Sequence, residues 1–286
     1  MIALTGFTDA GTAVGQLIAY MRDDLDPLPL AVFDNDVLLD YRARRPLVTF
    51  DGERITDYRP ARLELSLVRD TVGQPFLLLS GYEPDFVWEE FARTIVRLAS
   101  EYEVDSVTWL HAIPMPVPHT RPIGTTVSGT RAKLTAAHSV WRPHTQVPGT
   151  IGHLLEYRFA EADVPVAGFV LLVPHYLGDT EYPAATLAAL DSISAATGLV
   201  FDGDELRTLN REYLQRVSEQ IEENEELGRM LGSLEERYDA YMAGSTLAAP
   251  MVHTGDLPSA DELAAELERF LASRPGDDDK RGGSLR

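Results

Sequence analysis

Residues 2–11, IALTGFTDAG, set the fold class of the chain. Ile2–Leu4 form a short apolar run that stops at Gly6, and an amphipathic segment follows. This order of strand, tight turn and helix opens many α/β domains. Thr8 or Asp9 stands at the N-cap of the predicted helix, where a side-chain oxygen accepts a hydrogen bond from a backbone N–H of the first turn.

Strand-like and helix-like segments alternate from this start as far as residue 200. Four further segments are apolar and strand-like: 28–33, 76–80, 104–110 and 166–173. Three carry apolar residues at helical spacing: 86–99, 151–159 and 184–196. The continuous apolar runs are typical of strands buried on both faces, as in a sheet with helices on each side.

An antiparallel insertion interrupts the alternation. Leu47–Phe50 and Leu63–Val68 alternate apolar with polar residues, as half-buried strands do, and the Asp51-Gly52 pair between them is a turn sequence. Residues 114–129 are rich in Pro, Thr and Gly and are predicted to form a long loop. We therefore predict a three-layer α/β core with a mixed sheet over residues 1–200.

Residues 201–241 are predicted to form an acidic helical extension. A seam with alternating spacings of four and three runs through it: Tyr213, Val217, Gln220, Asn224, Leu227, Leu231, Leu234, Tyr238 and Tyr241. Such a seam packs on another helix, and we favour a hairpin within the chain over a coiled coil between subunits. Gly228 and Gly232 weaken the helix and mark a position where it could break. Gln220 and Asn224 fit either the seam or exposure at its edge.

Beyond the extension we predict a linker over residues 242–258, a short helix over 259–273 and a disordered tail over 274–286. Gly and Pro recur in the linker, and the tail is Gly, Asp and basic residues.

The composition excludes several classes of protein. The chain has 45 acidic and 25 basic residues, a net charge of -20, and 44% hydrophobic residues. The hydrophobic fraction supports a packed core, while the charge argues against binding to nucleic acid or to anionic membranes. The lack of cysteine excludes disulfides, thiolate metal sites and a cysteine nucleophile. No run approaches the roughly 20 apolar residues of a membrane span, so we predict a cytoplasmic protein.

The charge is unevenly distributed. Residues 106–160 contain five basic residues, a single acidic one, Glu156, and five of the seven histidines. This stretch is either a set of loops that lack carboxylates or a surface that faces an anionic substrate or partner.

Seven residues are candidates for ligand binding: Gly6, Asp9, Gly11, His119, Arg121, His175 and Tyr176. The first three flank a predicted helix start, which attracts anions, although Asp9 suits capping better than binding. The next two lie in the Pro-rich loop, and the last two follow a buried strand, where open α/β sheets place ligands.

The sequence names no catalytic residue. It contains neither a GxSxG elbow nor a His-x-x-x-His pair, and a histidine beside a carboxylate is as consistent with structure as with base catalysis. Asp34, Asp36 and Asp40 could bind a hard cation, yet the glycine and terminal glutamate of an EF-hand are missing. The segment 40–45 could instead form ion pairs at a surface or subunit contact. We predict neither a metal nor a cofactor.

Four segments together resemble the PAC2 family, relatives of proteasome assembly chaperone 2. They are Gly6–Gly11, Phe33–Asp36 with the Leu-Asp-Tyr-Arg that follows, Pro118–Pro122, and Val173–Leu177 with Tyr182-Pro183. The acidic helix over 212–238 is similar to the C-terminal helices of actinobacterial members.

The resemblance implies an α/β core like that of nucleoside phosphorylases and an oligomer, by analogy a trimer. It implies no established activity, since a shared fold does not carry phosphorylase chemistry with it. Archaeal members can dock on proteasome rings through a hydrophobic-Tyr-any tail, and this chain ends Gly-Ser-Leu-Arg. Tail docking is therefore not expected.

Our leading hypothesis is a non-enzymatic, oligomeric interaction protein that contacts a partner through residues 205–241. The alternative is an enzyme or binding protein whose cleft accepts a nucleoside-like or anionic ligand, and it requires the candidate residues to converge.

Overall fold

The computed structural model describes residues 1–141 and 144–244. The strands are β1 (Ile2–Thr5), β2 (Leu28–Val32), β3 (Leu47–Asp51), β4 (Arg54–Arg59), β5 (Glu64–Arg69), β6 (Pro75–Tyr82), β7 (Val107–Met115), β8 (Gly124–Gly129) and β9 (Val166–Pro174). The α-helices are α1 (Ala13–Asp24), α2 (Asn35–Leu38), α3 (Trp88–Glu101), α4 (Ala132–His138), α5 (Ile151–Glu161), α6 (Pro183–Thr197), α7 (Asp204–Glu222) and α8 (Glu225–Gly244). Residues 242–244, predicted to belong to the linker, are the end of α8. The rest of the predicted linker, the short helix and the tail lie outside these residues.

Seven strands form one mixed sheet in the order β2-β5-β6-β1-β7-β9-β8. β6, β1, β7 and β9 are parallel neighbours, whereas β5 and β8 run antiparallel to the strands beside them. Helices α1 and α6 pack together on one face, and α3 and α5 pack together on the other. The predicted three-layer α/β core with a mixed sheet is confirmed.

Each face of the sheet has its own hydrophobic core. Leu17 of α1 and Ile193 of α6 are fully buried against Phe169 on one face, and Leu155 of α5 is fully buried on the other. Because β9 lies between the two helical layers, both sets of its side chains are buried. This explains why its sequence is a continuous apolar run and does not alternate.

The antiparallel insertion differs from its prediction. β3 pairs with β4 in a separate two-stranded sheet, the β3–β4 hairpin, while β5 joins the main sheet between β2 and β6. The turn predicted at Asp51-Gly52 is present, at Gly52-Glu53, but it joins β3 to β4. Residues 47–50 and 63–68 do form strands, but alternation shows only that a strand has two unlike faces and does not show which strand lies beside it.

The predicted loop over residues 114–129 was also partly wrong. Its last part is β8, which pairs along β9 from Gly124↔Leu172 to Gly129↔Ala167. The composition of Gly, Thr and Ser resembles a loop, yet threonine suits an edge strand because its branched side chain fits a pleated surface. β8 closes one edge of the sheet.

The helical seam breaks after Glu222. The Oδ1 atom of Asn224 accepts hydrogen bonds from the backbone N–H groups of Glu226 (3.0 Å) and Leu227 (3.3 Å) and so caps α8. Gly228 and Gly232 lie inside α8, so a break at the glycines was wrong. α7 packs on α6, and α8 contacts α7 within the same chain.

Within the described residues, the structure contains no helix that is both long enough and apolar enough to cross a membrane.

Replacing Asn224 with Ala should loosen the start of α8. Loss of a side-chain cap costs about 0.5–2 kcal/mol of helix stability, and we expect faster hydrogen exchange in the first turn of α8. The control is Gln220→Ala at an exposed position of α7. Equal exchange rates in the two variants would show that the cap does not define the break.

Candidate functional site

His119 and Tyr176 form the centre of the site, at the carboxyl ends of β7 and β9. The Tyr176 hydroxyl accepts a hydrogen bond from the backbone N–H of His119 (2.8 Å) and lies 2.7 Å from His119 Nδ1, to which it can donate. The ring of His175 also contacts the ring of Tyr176, with the centroids 5.4 Å apart and the planes nearly perpendicular. Three candidate residues therefore converge here.

The environment keeps this pair uncharged at neutral pH. Burial lowers the pKa of His119, an effect that the charge of Glu235 opposes. Burial also raises the pKa of Tyr176 to about 12. A neutral phenol donating to Nδ1 leaves the proton of the imidazole on Nε2, so the pair is a stable hydrogen bond rather than a base ready to accept a proton.

Arg121, the predicted anion-facing cation, already binds carboxylates of its own chain. Its Nε and Nη2 atoms donate to the two carboxylate oxygens of Asp239 in α8, at 2.9 and 2.6 Å. Its Nη1 atom donates to Glu235, 3.3 Å away, and the Thr120 hydroxyl donates to the same carboxylate. This hydrogen bonding and charge lower the pKa of Asp239. The forked contact is the geometry in which arginine recognises a carboxylate.

Asp9 caps helix α1. Its Oδ1 accepts a hydrogen bond from the N–H of Val14 (2.8 Å) and its Oδ2 one from the N–H of Gly15 (2.9 Å). Burial raises the pKa of Asp9, and these backbone hydrogen bonds partly offset that rise. With both oxygens engaged, the capping role that we preferred for Asp9 is confirmed, although the N-cap position itself is Thr12 and not Thr8 or Asp9.

Gly11 joins the loop after β1 to the loop after β9. Its N–H donates to the carbonyl of Gly178 (2.7 Å), and its carbonyl accepts from the N–H of Tyr182 (3.0 Å). The φ of Gly11 is +69°, and an added Cβ would lie 3.2 Å from atoms of both Tyr182 and Val173. Only glycine combines this backbone conformation with so close an approach.

Gly6 lies apart from the other candidates, on a cavity of about 20 Å³ that Glu83 and His111 also line. An added Cβ at Gly6 would lie 2.2 Å from the Glu83 carboxylate, so the absence of a side chain makes room for that group. The carboxylate accepts hydrogen bonds from the N–H groups of Ile151 (2.6 Å), at the start of α5, and of Phe7 (3.3 Å). The volume suits a single water molecule.

A buried polar cluster around this cavity was not predicted. His111 is 8% exposed, and burial lowers its pKa to about 4. The neighbouring His153 accepts a hydrogen bond at Nδ1 from the N–H of Thr150 (3.1 Å), and Trp109 donates to Glu156 (2.6 Å). A histidine inside a strand that is buried on both faces is the sequence feature that could have revealed the cluster.

The acidic segment near α2 serves local structure. Asp34 accepts a hydrogen bond from the N–H of Asp36, Asp36 accepts one from the Tyr41 hydroxyl, and Asp40 accepts one from the N–H of Arg42. Across residues 1–141 and 144–244, no group of three or more His, Asp or Glu residues is arranged to hold a metal ion. In the 40–45 segment, Arg44 pairs with Asp85 at 3.3 Å, so an ion pair forms within the chain.

The fold and the site together describe an α/β protein whose candidate binding groups are largely satisfied by its own side chains and backbone. The family model for the PAC2 family matches residues 3–221. The chain therefore belongs to the PAC2 family.

Solved structures support this assignment. A Mycobacterium tuberculosis protein of unknown function is 39% identical, with a TM-score of 0.79 over 85% of this chain and 82% of its own. A Corynebacterium glutamicum protein of unknown function is 37% identical, with a TM-score of 0.81 over 84% and 90%. A second M. tuberculosis protein, a proteasome-assembly chaperone homologue, is 23% identical, with a TM-score of 0.72 over 80% and 98%, and shares the fold. No curated protein matches the sequence.

Replacing Gly11 with Ala should destabilise the core by about 1–3 kcal/mol, because the added methyl group meets three side chains at a positive φ. Urea denaturation measures the change. The control is Gly228→Ala in α8, where no atom lies within 4 Å of an added Cβ; this variant should be stabilised by about 0.5–1 kcal/mol. Similar losses in both variants would contradict the close approach at Gly11.

The buried His111 should make stability depend on pH. Its pKa falls from the ordinary value of 6.5 to about 4 in the folded chain, so the unfolded chain binds the proton more readily. The resulting stability is fully present above pH 6.5 and is lost as the pH falls towards 4, by up to ~3 kcal/mol.

Denaturation midpoints measured between pH 7 and pH 4 test this dependence. His111→Gln should flatten part of the slope, whereas His175→Gln, at an exposed position, should leave it intact. An unchanged slope in His111→Gln would exclude burial of this imidazole as the cause.

Proposed function

We propose that this chain is a non-enzymatic interaction protein that acts in the cytoplasm as an assembly-chaperone-like member of the PAC2 family. In this proposal it works as a homo-oligomer, a trimer by analogy with the family, and contacts a protein partner through the acidic helices α7 and α8. The proteasome-assembly chaperone homologue of M. tuberculosis shares the fold, which supports a role in assembly.

The observation that carries the proposal is the apolar face of the β3–β4 hairpin. Val48 lies opposite Tyr58, and Phe50 lies opposite Ile55, so four apolar side chains share one face. Their exposed fractions range from 44% to 70%. An exposed patch of this kind on a soluble fold marks a surface that another protein covers.

Charge favours a second copy of the chain as the protein that covers the hairpin. Residues 42–62 hold six arginines and three acidic residues, whereas residues 201–241 hold twelve acidic and five basic residues. A basic hairpin with an apolar face complements an acidic helical surface that a sibling copy carries. Contacts between two different surfaces of like subunits form a ring where the rotation between neighbours closes, and a closed ring of three subunits is a trimer.

The small-molecule alternative has one observation in its favour. The cavity beside Gly6 and His111 lies at the carboxyl end of β1 and against the middle of β7. The connection after β1 leads to one side of the sheet, and β7 with the strands that follow it lies on the other. Open α/β sheets bind ligands at such a point. A volume of about 20 Å³ is far below that of a ligand pocket, so the geometry favours the interaction role.

The test is the molar mass in solution, measured by light scattering after gel filtration. We expect the natural chain to run as a multiple of 31.6 kDa and Phe50→Asp/Ile55→Asp to run as a monomer, because the charges prevent burial of the hairpin face. The control is Val72→Asp, which changes a residue that is as exposed as Phe50, at 70%, but lies in a turn. A natural chain that is monomeric would refute the oligomer, and a ligand-specific thermal shift in a nucleoside and phosphate screen would favour the alternative.

A further inference from the structure

We propose that the loop of residues 118–121 is a docking site for an acidic helix of a partner protein, and that α8 occupies this site in the isolated chain. The inference rests on the proposed interaction role and adds the chemistry of the partner. It does not depend on the hairpin or on the oligomeric state.

The contacts of α8 show what the loop recognises. Glu235 and Asp239 are four residues apart and therefore lie on the same face of the helix. Asp239 receives both arms of the Arg121 fork, and Glu235 receives the third nitrogen together with the Thr120 hydroxyl. A pair of carboxylates at this spacing on any helix can make the same four hydrogen bonds.

Apolar packing and a tyrosine contact also hold α8 in place. Leu234 is buried among the core residues, and the Tyr241 hydroxyl donates to the carbonyl of Val140 (2.7 Å). The remaining side chains described in α8 are half-buried or exposed, and Gly228 and Gly232 lower its intrinsic helicity. A competing helix must therefore offer an apolar side chain at the position of Leu234 as well as the two carboxylates.

The charge of the rest of the chain makes this loop the favourable place for an acidic partner. With a net charge of -20, most of the surface repels such a partner, whereas residues 106–160 carry a net positive charge. Arg121 is partly buried, with 30% of its side chain exposed. If α8 moved away, this guanidinium would lose both of its carboxylates, which favours the binding of another acidic helix in its place.

The test uses full-length chains and a fluorescent peptide with the sequence of residues 225–244 as the probe. Glu235→Gln/Asp239→Asn keeps the shape of α8 but removes the charges that hold Arg121, so Arg121 becomes available. We expect this variant to bind the probe about tenfold or more tightly than the natural chain, measured by fluorescence anisotropy. Added salt should weaken the gain, because the contact is between charges.

Two matched controls, one in the chain and one in the probe, test whether Arg121 and the two carboxylates make the contact. Adding Arg121→Gln to the double variant should abolish the gain, and a probe that carries the same Gln and Asn substitutions should not bind. Circular dichroism checks that the variants remain folded. A double variant that binds the probe no better than the natural chain, or a gain that survives Arg121→Gln, would overturn the proposal.

A mixture of the Arg121→Gln chain and the Glu235→Gln/Asp239→Asn chain, each also carrying Phe50→Asp/Ile55→Asp to prevent association through the hairpin, separates a partner protein from a second copy. The first chain keeps the two carboxylates of α8, and the second keeps Arg121. Formation of a mixed dimer at the mass of two chains would assign the loop to α8 of a sibling copy and would overturn a partner protein as the occupant. We expect no mixed dimer. Failure of the probe to bind with the hairpin oligomer intact would refute this inference and leave the proposed function standing.

Discussion

The parallel pairing of β7 with β9 is the interaction on which the candidate site depends. Nine residue pairs, from Val107↔Val166 to Met115↔Pro174, keep the two strands in register along their full length. Because the two strands end together, the loop that follows β7 and the turn that follows β9 meet at the carboxyl ends of the strands. The hydrogen bonds between His119 and Tyr176 follow from that register.

The sequence could predict those elements whose own residues show how they are buried or capped. β9 is apolar throughout because helices cover both of its faces, and the strand, turn and helix at residues 2–24 carry their own capping residue in Asp9. The β3–β4 hairpin could not be predicted from alternation, because period-two patterning is the same for a strand in the main sheet and for one that projects from it. Likewise, the spacing of the seam over residues 213–241 predicts helix but does not show that Asn224 caps a second helix and so interrupts the seam.

The candidate site also contains some residues that the sequence could identify and others that it could not. His175 and Tyr176 could be placed because a ligand position at the carboxyl end of a strand is a property of the sheet. The carboxylates that hold Arg121 lie 114 and 118 residues further along the chain, and no spacing rule reaches across that distance. Glu83 could not be recognised because its partners are backbone N–H groups of other segments, which carry no sequence information.

The position of Glu83 has a consequence for how the protein can change in length. The start of α5 is fixed from outside: the Glu83 carboxylate beyond the end of β6 accepts the N–H of Ile151, and Gly152 lets the helix approach the ring of Trp109 on β7. The helix is therefore located by the sheet as well as by the Thr150 cap that directly precedes it. Insertions or deletions between α4 and Thr150 can be absorbed without moving α5, so relatives can vary there while the core keeps its shape.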